Sequence, residues 1–147
     1  MKKLYIVALI CLIGAAVLFS FVYFSSEKAN RASGAETISY NFQVRPILSD
    51  KCYACHGPDA NKREAGLRLD IEKEAYKALK DNPKAHAIVP GKPNLSEVYL
   101  RVSTTDTSIM MPPASSNLPT LTEAEVAVIK KWIEEGAKYE PHWAFVP

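Results

Sequence analysis

This chain of 147 residues has little cysteine, little histidine and no surplus charge of one sign. Three cysteines are too few and too unevenly placed for a disulfide framework: Cys52 and Cys55 are three positions apart, and Cys11 lies in an apolar N-terminal stretch. The net charge is +2, and Lys2 and Lys3 account for all of it. From residue 25 onward acids and bases balance, so no basic patch for nucleic acid is present. No internal repeat is visible. The length fits one domain.

The cysteines that are present lie in Cys52-Tyr53-Ala54-Cys55-His56. This is the C-x-x-C-H spacing of covalent c-type haem attachment. Two thiols separated by two residues reach the two vinyl groups of one porphyrin. The histidine that follows then lies under the iron and offers an imidazole nitrogen as proximal ligand. The same pentapeptide also fits a redox dithiol, half of a zinc site or two core thiols, so the rest of the chain has to discriminate.

Residues 4–24 form a run of 21 without a formal charge. As a helix this run spans about 30 Å, the thickness of a bilayer's hydrocarbon core. Tyr5, Phe19, Phe21, Tyr23 and Phe24 set aromatics near both ends, and Lys2 and Lys3 predict a cytoplasmic N-terminus. The expectation is a single N-terminal transmembrane helix in a bacterial cytoplasmic membrane, with everything after it on the periplasmic or outer side. A cleaved signal peptide is the competing reading, although its apolar core is normally about 7–15 residues. Ser33-Gly34-Ala35, a possible cleavage site, lies well beyond the run. A lipoprotein reading of Cys11 meets bulky Ile10 where a small residue is wanted. Residues 25–39, rich in Ser, Ala, Lys and Glu, read as a polar tether.

The domain is expected over residues 40–140, with 141–147 a tail or the start of a further segment. Val44, Ile47, Leu48 and Cys52 recur at helical spacing, and Pro46 is tolerable in a first turn. This predicts a short helix over 44–52 that delivers the thiols on its last turn. A loop over 57–70 follows. Asp70 is placed to cap a helix over 72–80, and Ser96 to cap one over 96–103. The last helix has the clearest signals. Thr122-x-x-Glu125 is a capping box, Leu121 and Val126 a hydrophobic staple, and Val126, Ile129, Trp132, Ile133 and Ala137 share one face. Its expected partner is the helix before the haem motif, and Gly136 is placed to end it.

Between the last two helices lies Met110-Met111-Pro112-Pro113. Proline biases Met111 away from helix and stiffens the loop. A thioether held so is a candidate sixth ligand to iron; core packing is the commoner fate of methionine. His86 is a weaker axial candidate, His142 reads as surface or linker, and Arg45, Arg63 and Arg68 are candidates for pairing with haem propionates.

Several spaced motifs together resemble one family. Val44-Arg45-Pro46-Ile47-Leu48, Cys52-Tyr53-Ala54-Cys55-His56-Gly57-Pro58-Asp59-Ala60 and Gly66-Leu67-Arg68-Leu69-Asp70 look like the planctomycete-type cytochrome c domain. So do Ile88-Val89-Pro90-Gly91-Lys92-Pro93, Met111-Pro112-Pro113, and Leu121-Thr122 ahead of Trp132-Ile133. The resemblance runs from about Phe42 onward. It implies an all-α, class I cytochrome c-like domain around one covalent haem c. It also implies Cys52 and Cys55 as thioether attachment points, His56 as proximal ligand and Met111 as distal ligand. Met110 has no counterpart in the pattern. In that family the domain usually opens a larger multidomain bacterial protein that continues past a segment like His142-Trp143-Ala144-Phe145. A fragment of a longer protein and a stand-alone anchored cytochrome both fit.

Two functions follow as expectations. One is a membrane-anchored electron-carrier module, passing one electron at a His/Met-ligated haem between redox partner proteins. The other is a haem enzyme or sensor with an open axial site. A thiol–disulfide oxidoreductase is a third reading, but it leaves His56 and the Met-Pro-Pro loop unexplained. No catalytic centre is visible in the chain itself.

Overall fold

The computed structural model describes residues 19–20, 37–141 and 144. Apart from Phe19 and Ser20, the expected span over 4–24, including Cys11, lies outside the described residues, as does His142. Among the described residues no helix is long and apolar enough to cross a membrane. The chain divides between Glu36 and Thr37, and the fold below belongs to the second unit.

The described residues are helical and contain no strand, only isolated bridges at Ala78–His86 and His86–Ser96. The all-α expectation holds. A π-helical turn over Tyr40–Val44 runs directly into α1, Arg45–Lys51. Pro46 falls in the first turn of α1, where its missing N–H costs little. Tyr40, Val44, Ile47 and Leu48 form one buried stripe along this continuous segment. The helix then breaks at Cys52, whose φ of −125° interrupts it, and resumes as the single turn α2, Tyr53–His56. The two thiols therefore straddle a junction, with Cys52 on it and Cys55 in the next turn, instead of both closing one helix.

The next expected helix is much shorter than the sequence predicted. α3 covers only Glu72–Ala75, and its cap position is Ile71 without a side-chain cap. Asp70 does not cap it. Its carboxylate takes the Arg68 guanidinium, with Arg68 Nε donating at 3.0 Å. Beyond Tyr76 the backbone turns away from helix because it pairs elsewhere: Leu79 N–H donates to Ala85 O at 2.9 Å, and Ala78 bridges to His86.

α4 spans Glu97–Ser103 and follows a 3-10 turn over Pro93–Leu95. Ser96 stands at the cap position, yet its hydroxyl makes no capping bond. It is buried instead, donating to Lys92 O at 2.9 Å and accepting from Val89 N–H at 2.9 Å. Only Val98 of this helix is fully buried, while Leu100 is exposed and Val102 half-buried. After a 3-10 turn at Ala114–Ser116 comes α5, Glu123–Glu134.

Here the local signals are realised. The Thr122 and Glu125 capping box is complete on both sides, and Leu121 packs against the core. Ile129, Trp132 and Ile133 face inward. The helix ends in a Schellman arrangement: Ala137 N–H reaches Trp132 O at 2.8 Å and Gly136 N–H reaches Ile133 O at 3.0 Å. Gly136, at φ +102°, supplies the left-handed turn. The partners of α5 are the π-helical turn over Tyr40–Val44, which runs into the helix expected, together with α4 and the 3-10 turn over Pro93–Leu95. At the contact Tyr40, Trp132 and Tyr139 pack as an aromatic cluster with ring centroids 4.6–5.7 Å apart. Trp132 Nε1 donates to Lys138 O at 2.9 Å, so its one polar atom is satisfied.

Candidate functional site

The break at Cys52 determines what the haem motif can face. His56 N–H donates to Cys52 O at 2.8 Å, so the five residues of the motif close one helical turn. Gly57 is required immediately after. A Cβ there would lie 2.3 Å from Tyr53 O and 2.9 Å from Tyr53 Cβ. The loop that follows is tied back onto the motif: Arg63 donates to Gly57 O and Pro58 O, Glu64 N–H to Cys55 O, and Leu69 N–H to His56 O.

Beside this motif lies a cavity of about 290 Å³. Its walls are mostly apolar and include Leu67, Leu69, Leu79 and Val98, with Cys52, His56 and Met111 among the lining. A smaller recess of about 40 Å³ is lined by Cys52, Cys55, His56 and Met111 together with Pro112 and Pro113. Residues 52–56 and residue 111, more than fifty positions apart in the chain, thus meet at one site.

Met111 reaches it through a closed loop. The chain leaves α4 at Ser103, turns where Ile109 and Met110 N–H groups both donate to Asp106 O, and returns to α4 where Met111 N–H donates to Arg101 O at 3.0 Å. Pro112, joined to Met111 by a cis peptide, is buried. Met110 lines neither cavity.

The electrostatics suit ligation more than thiol redox chemistry. Burial, with a smaller contribution from Cys55, pushes the Cys52 thiol up to about 12. A catalytic dithiol needs the opposite shift, so the oxidoreductase reading loses its chemistry here. Burial also lowers the pKa of His56, a backbone interaction at Glu64 opposes this, and the Arg101 charge adds to the lowering. The imidazole is therefore neutral near pH 7, the form that donates a lone pair to a metal. Its Nδ1 is buried without a hydrogen-bond partner. Among the described residues no cluster of three or more His, Cys, Asp and Glu offers a site for a bare metal ion. An apolar cavity, a neutral imidazole with an unpartnered ring nitrogen, a thioether and two thiols together fit a haem.

Other candidates lie elsewhere. His86 Nδ1 sits 3.0 Å from Tyr76 O, and the residue lines neither cavity. Arg45 stacks over the Tyr40 ring, Arg63 is spent on Gly57 and Pro58, and Arg68 on Asp70. The arginine that does line the cavity is Arg101, which the sequence reading passed over. Its only sequence signal is Glu97 four residues earlier, a spacing common on solvated helix faces.

A helical scaffold that turns a C-x-x-C-H segment and a Met-Pro-Pro loop onto one apolar cavity defines a cytochrome c-like domain. A sequence model of the Planctomycete cytochrome C family matches residues 52–115. The match starts at the first thiol and ends two residues past Pro113, so it contains both parts of the site, and over these residues it bears out the resemblance drawn from the motifs. Over this segment the chain is similar to that family, and a cytochrome c domain implies haem c binding. No curated protein and no solved structure matches the chain.

Proposed function

We propose that residues 40–140 form a class I c-type cytochrome domain carrying one electron between redox partner proteins. Cys52 and Cys55 would hold one haem c covalently, and His56 and Met111 would be the residues that ligate its iron. When bound, the haem supplies a one-electron Fe(III)/Fe(II) couple. The chain's own residues do the rest. His56, kept neutral by burial, donates through its ring nitrogen. Met111 offers a soft, uncharged sulfur that favours the reduced state and raises the potential relative to two histidines. Apolar walls such as Leu69 and Val98 exclude water from the site.

The observation that carries this reading is the meeting of Cys52, His56 and Met111 at one cavity. A methionine that lines the same cavity as the motif histidine weighs against an enzyme or sensor with an open axial position. The apolar run over 4–24 would hold the domain outside the cytoplasm, on the side where bacterial covalent haem attachment takes place.

Covalent attachment is tested by expressing the chain with haem-maturation machinery and staining a denaturing gel for haem-dependent peroxidase activity. A band at the mass of the chain is expected, absent from the Cys52→Ala/Cys55→Ala variant. Haem that leaves the wild-type chain on denaturation would refute the thioether linkage.

A further inference from the structure

A bound tetrapyrrole brings two carboxylates into a cavity whose walls are mostly hydrocarbon, and those carboxylates need cationic donors. Resting on the haem reading above, we propose that Arg101 is the residue that binds a haem carboxylate.

The three arginines the sequence offered for this task are committed elsewhere. Arg45 lies over the Tyr40 ring with its centre 5.8 Å from the centroid. Arg63 closes the loop beneath His56, and Arg68 is paired with Asp70. None of them lines the cavity. The cations that do are Lys80 and Arg101, and the anions are Asp81 and Glu97.

Arg101 differs from Lys80 in being pre-oriented. Its Nε donates to Glu97 Oε2 at 2.9 Å, one turn back on α4, and its Nη1 makes a long 3.5 Å contact to Ile109 O. A guanidinium carries five N–H donors in a rigid fork. Two are engaged, and the Nη2 end has no protein partner among the described residues. A fork braced on one edge by a carboxylate, with its other edge open, matches the planar geometry of a second carboxylate. Glu97 partly offsets the charge of Arg101, but it also fixes the fork, so less rotamer freedom is lost when the ligand's carboxylate docks. Lys80 is an exposed, flexible point charge on the neighbouring loop.

Arg101 also joins the two halves of the site. Its backbone carbonyl accepts the Met111 N–H. The same residue therefore anchors the Met111 loop through its main chain and is free to hold the ligand's periphery through its side chain. These two roles are separable, because only the second is lost when the side chain is changed.

The experiment uses the mature haem-loaded protein and resonance Raman spectroscopy. The bending mode of the haem propionates responds to hydrogen bonding at their carboxylates. Arg101→Gln is expected to shift this mode to lower frequency and to lower the reduction potential, while the weak far-red absorption band of the sulfur–iron bond stays in place. Arg101→Lys, which keeps a charge but not the fork, should shift the mode less in the same direction. Arg68→Gln should leave it where it is. If Arg101→Gln yields no haem-loaded protein, the lysine variant carries the test, and a wild-type frequency in it overturns the proposal. An unmoved propionate mode in Arg101→Gln overturns it as well. Loss of the far-red band with the propionate mode unmoved would do the same and would assign the side chain to the Met111 loop. A wild-type chain that matures without haem would remove the underlying cofactor reading, an outcome distinct from all of these.

Discussion

Two adjacent methionines receive different assignments from their surroundings. Met111 lines both cavities and its backbone is fixed to Arg101, whereas Met110 lines neither. Met111→Ala should therefore abolish the far-red absorption band, lower the reduction potential and open the haem to carbon monoxide. Met110→Ala should leave all three close to wild type. Rapid carbon monoxide binding by the wild-type protein, with no far-red band, would transfer the argument to the enzyme or sensor reading. Gly57 is the other residue whose identity is dictated at this scale. A single methyl group there meets the Tyr53 carbonyl at 2.3 Å, so Gly57→Ala must displace the turn that carries Cys55 and His56. Lower yield of haem-loaded protein is its expected outcome, read from the ratio of haem absorbance to protein.

At the scale of elements, α5 is held by local chemistry and α4 by its neighbours. Thr122→Ala removes one side of the capping box and should cost about 1 kcal/mol in denaturant-induced unfolding. The box is also pH-sensitive. The Thr122 backbone N–H, which donates to Glu125 at 2.7 Å, holds the Glu125 carboxyl below its ordinary 4.5. A carboxyl whose pKa is depressed on folding contributes stability that is present above its unfolded value. That contribution is lost as pH falls from 4.5 through the lowered folded-state value, so Glu125→Gln should be destabilising at pH 7 and lose its effect once the carboxyl is protonated in acid. Ser96 acts differently, because its hydroxyl joins the start of α4 to Val89 and Lys92. Ser96→Ala leaves the half-buried Val89 N–H without its partner and should cost about 1–3 kcal/mol, more than an ordinary cap. Equal costs at Thr122 and Ser96 would show that Ser96 is only a cap after all.

For the whole molecule, the cavity is large relative to the core that surrounds it. The buried cluster of Tyr40, Val44, Leu48, Ile129, Trp132 and Ile133 seals one side of the domain. The walls near Leu67, Leu79 and Val102 meet the cavity and are only half-buried. A haem in that space would supply the missing apolar contacts and become part of the core. Folding without it leaves hydrocarbon surface facing water, at roughly 25 cal/mol for each Å² left uncovered. The Cys52→Ala/Cys55→Ala chain, made without haem, should unfold at clearly lower denaturant concentration than the haem-loaded protein. Coincident unfolding curves would mean that the scaffold closes on its own and that the ligand is peripheral to its stability.

The sequence alone determined what depends on neighbouring residues. The C-x-x-C-H spacing, the rigid Met-Pro-Pro step, the Thr122 and Glu125 capping box and the apolar face of α5 are all written within a few positions, and the structure contains each of them. The short reach of these signals is why they are legible: each rests on backbone geometry or helical periodicity, which no distant contact has to supply. Tertiary structure decided the rest. It shortened the helix after Asp70, because Ala78 and Leu79 find partners at His86 and Ala85 that outweigh a weak local propensity. It drew the Ser96 hydroxyl inward, away from the cap, and assigned Asp70 to Arg68. It also placed Arg101, and not Arg45, Arg63 or Arg68, among the residues that line the cavity. Local pattern tells an arginine only that it is on a surface, and only the tertiary fold determines which surface lines the cavity.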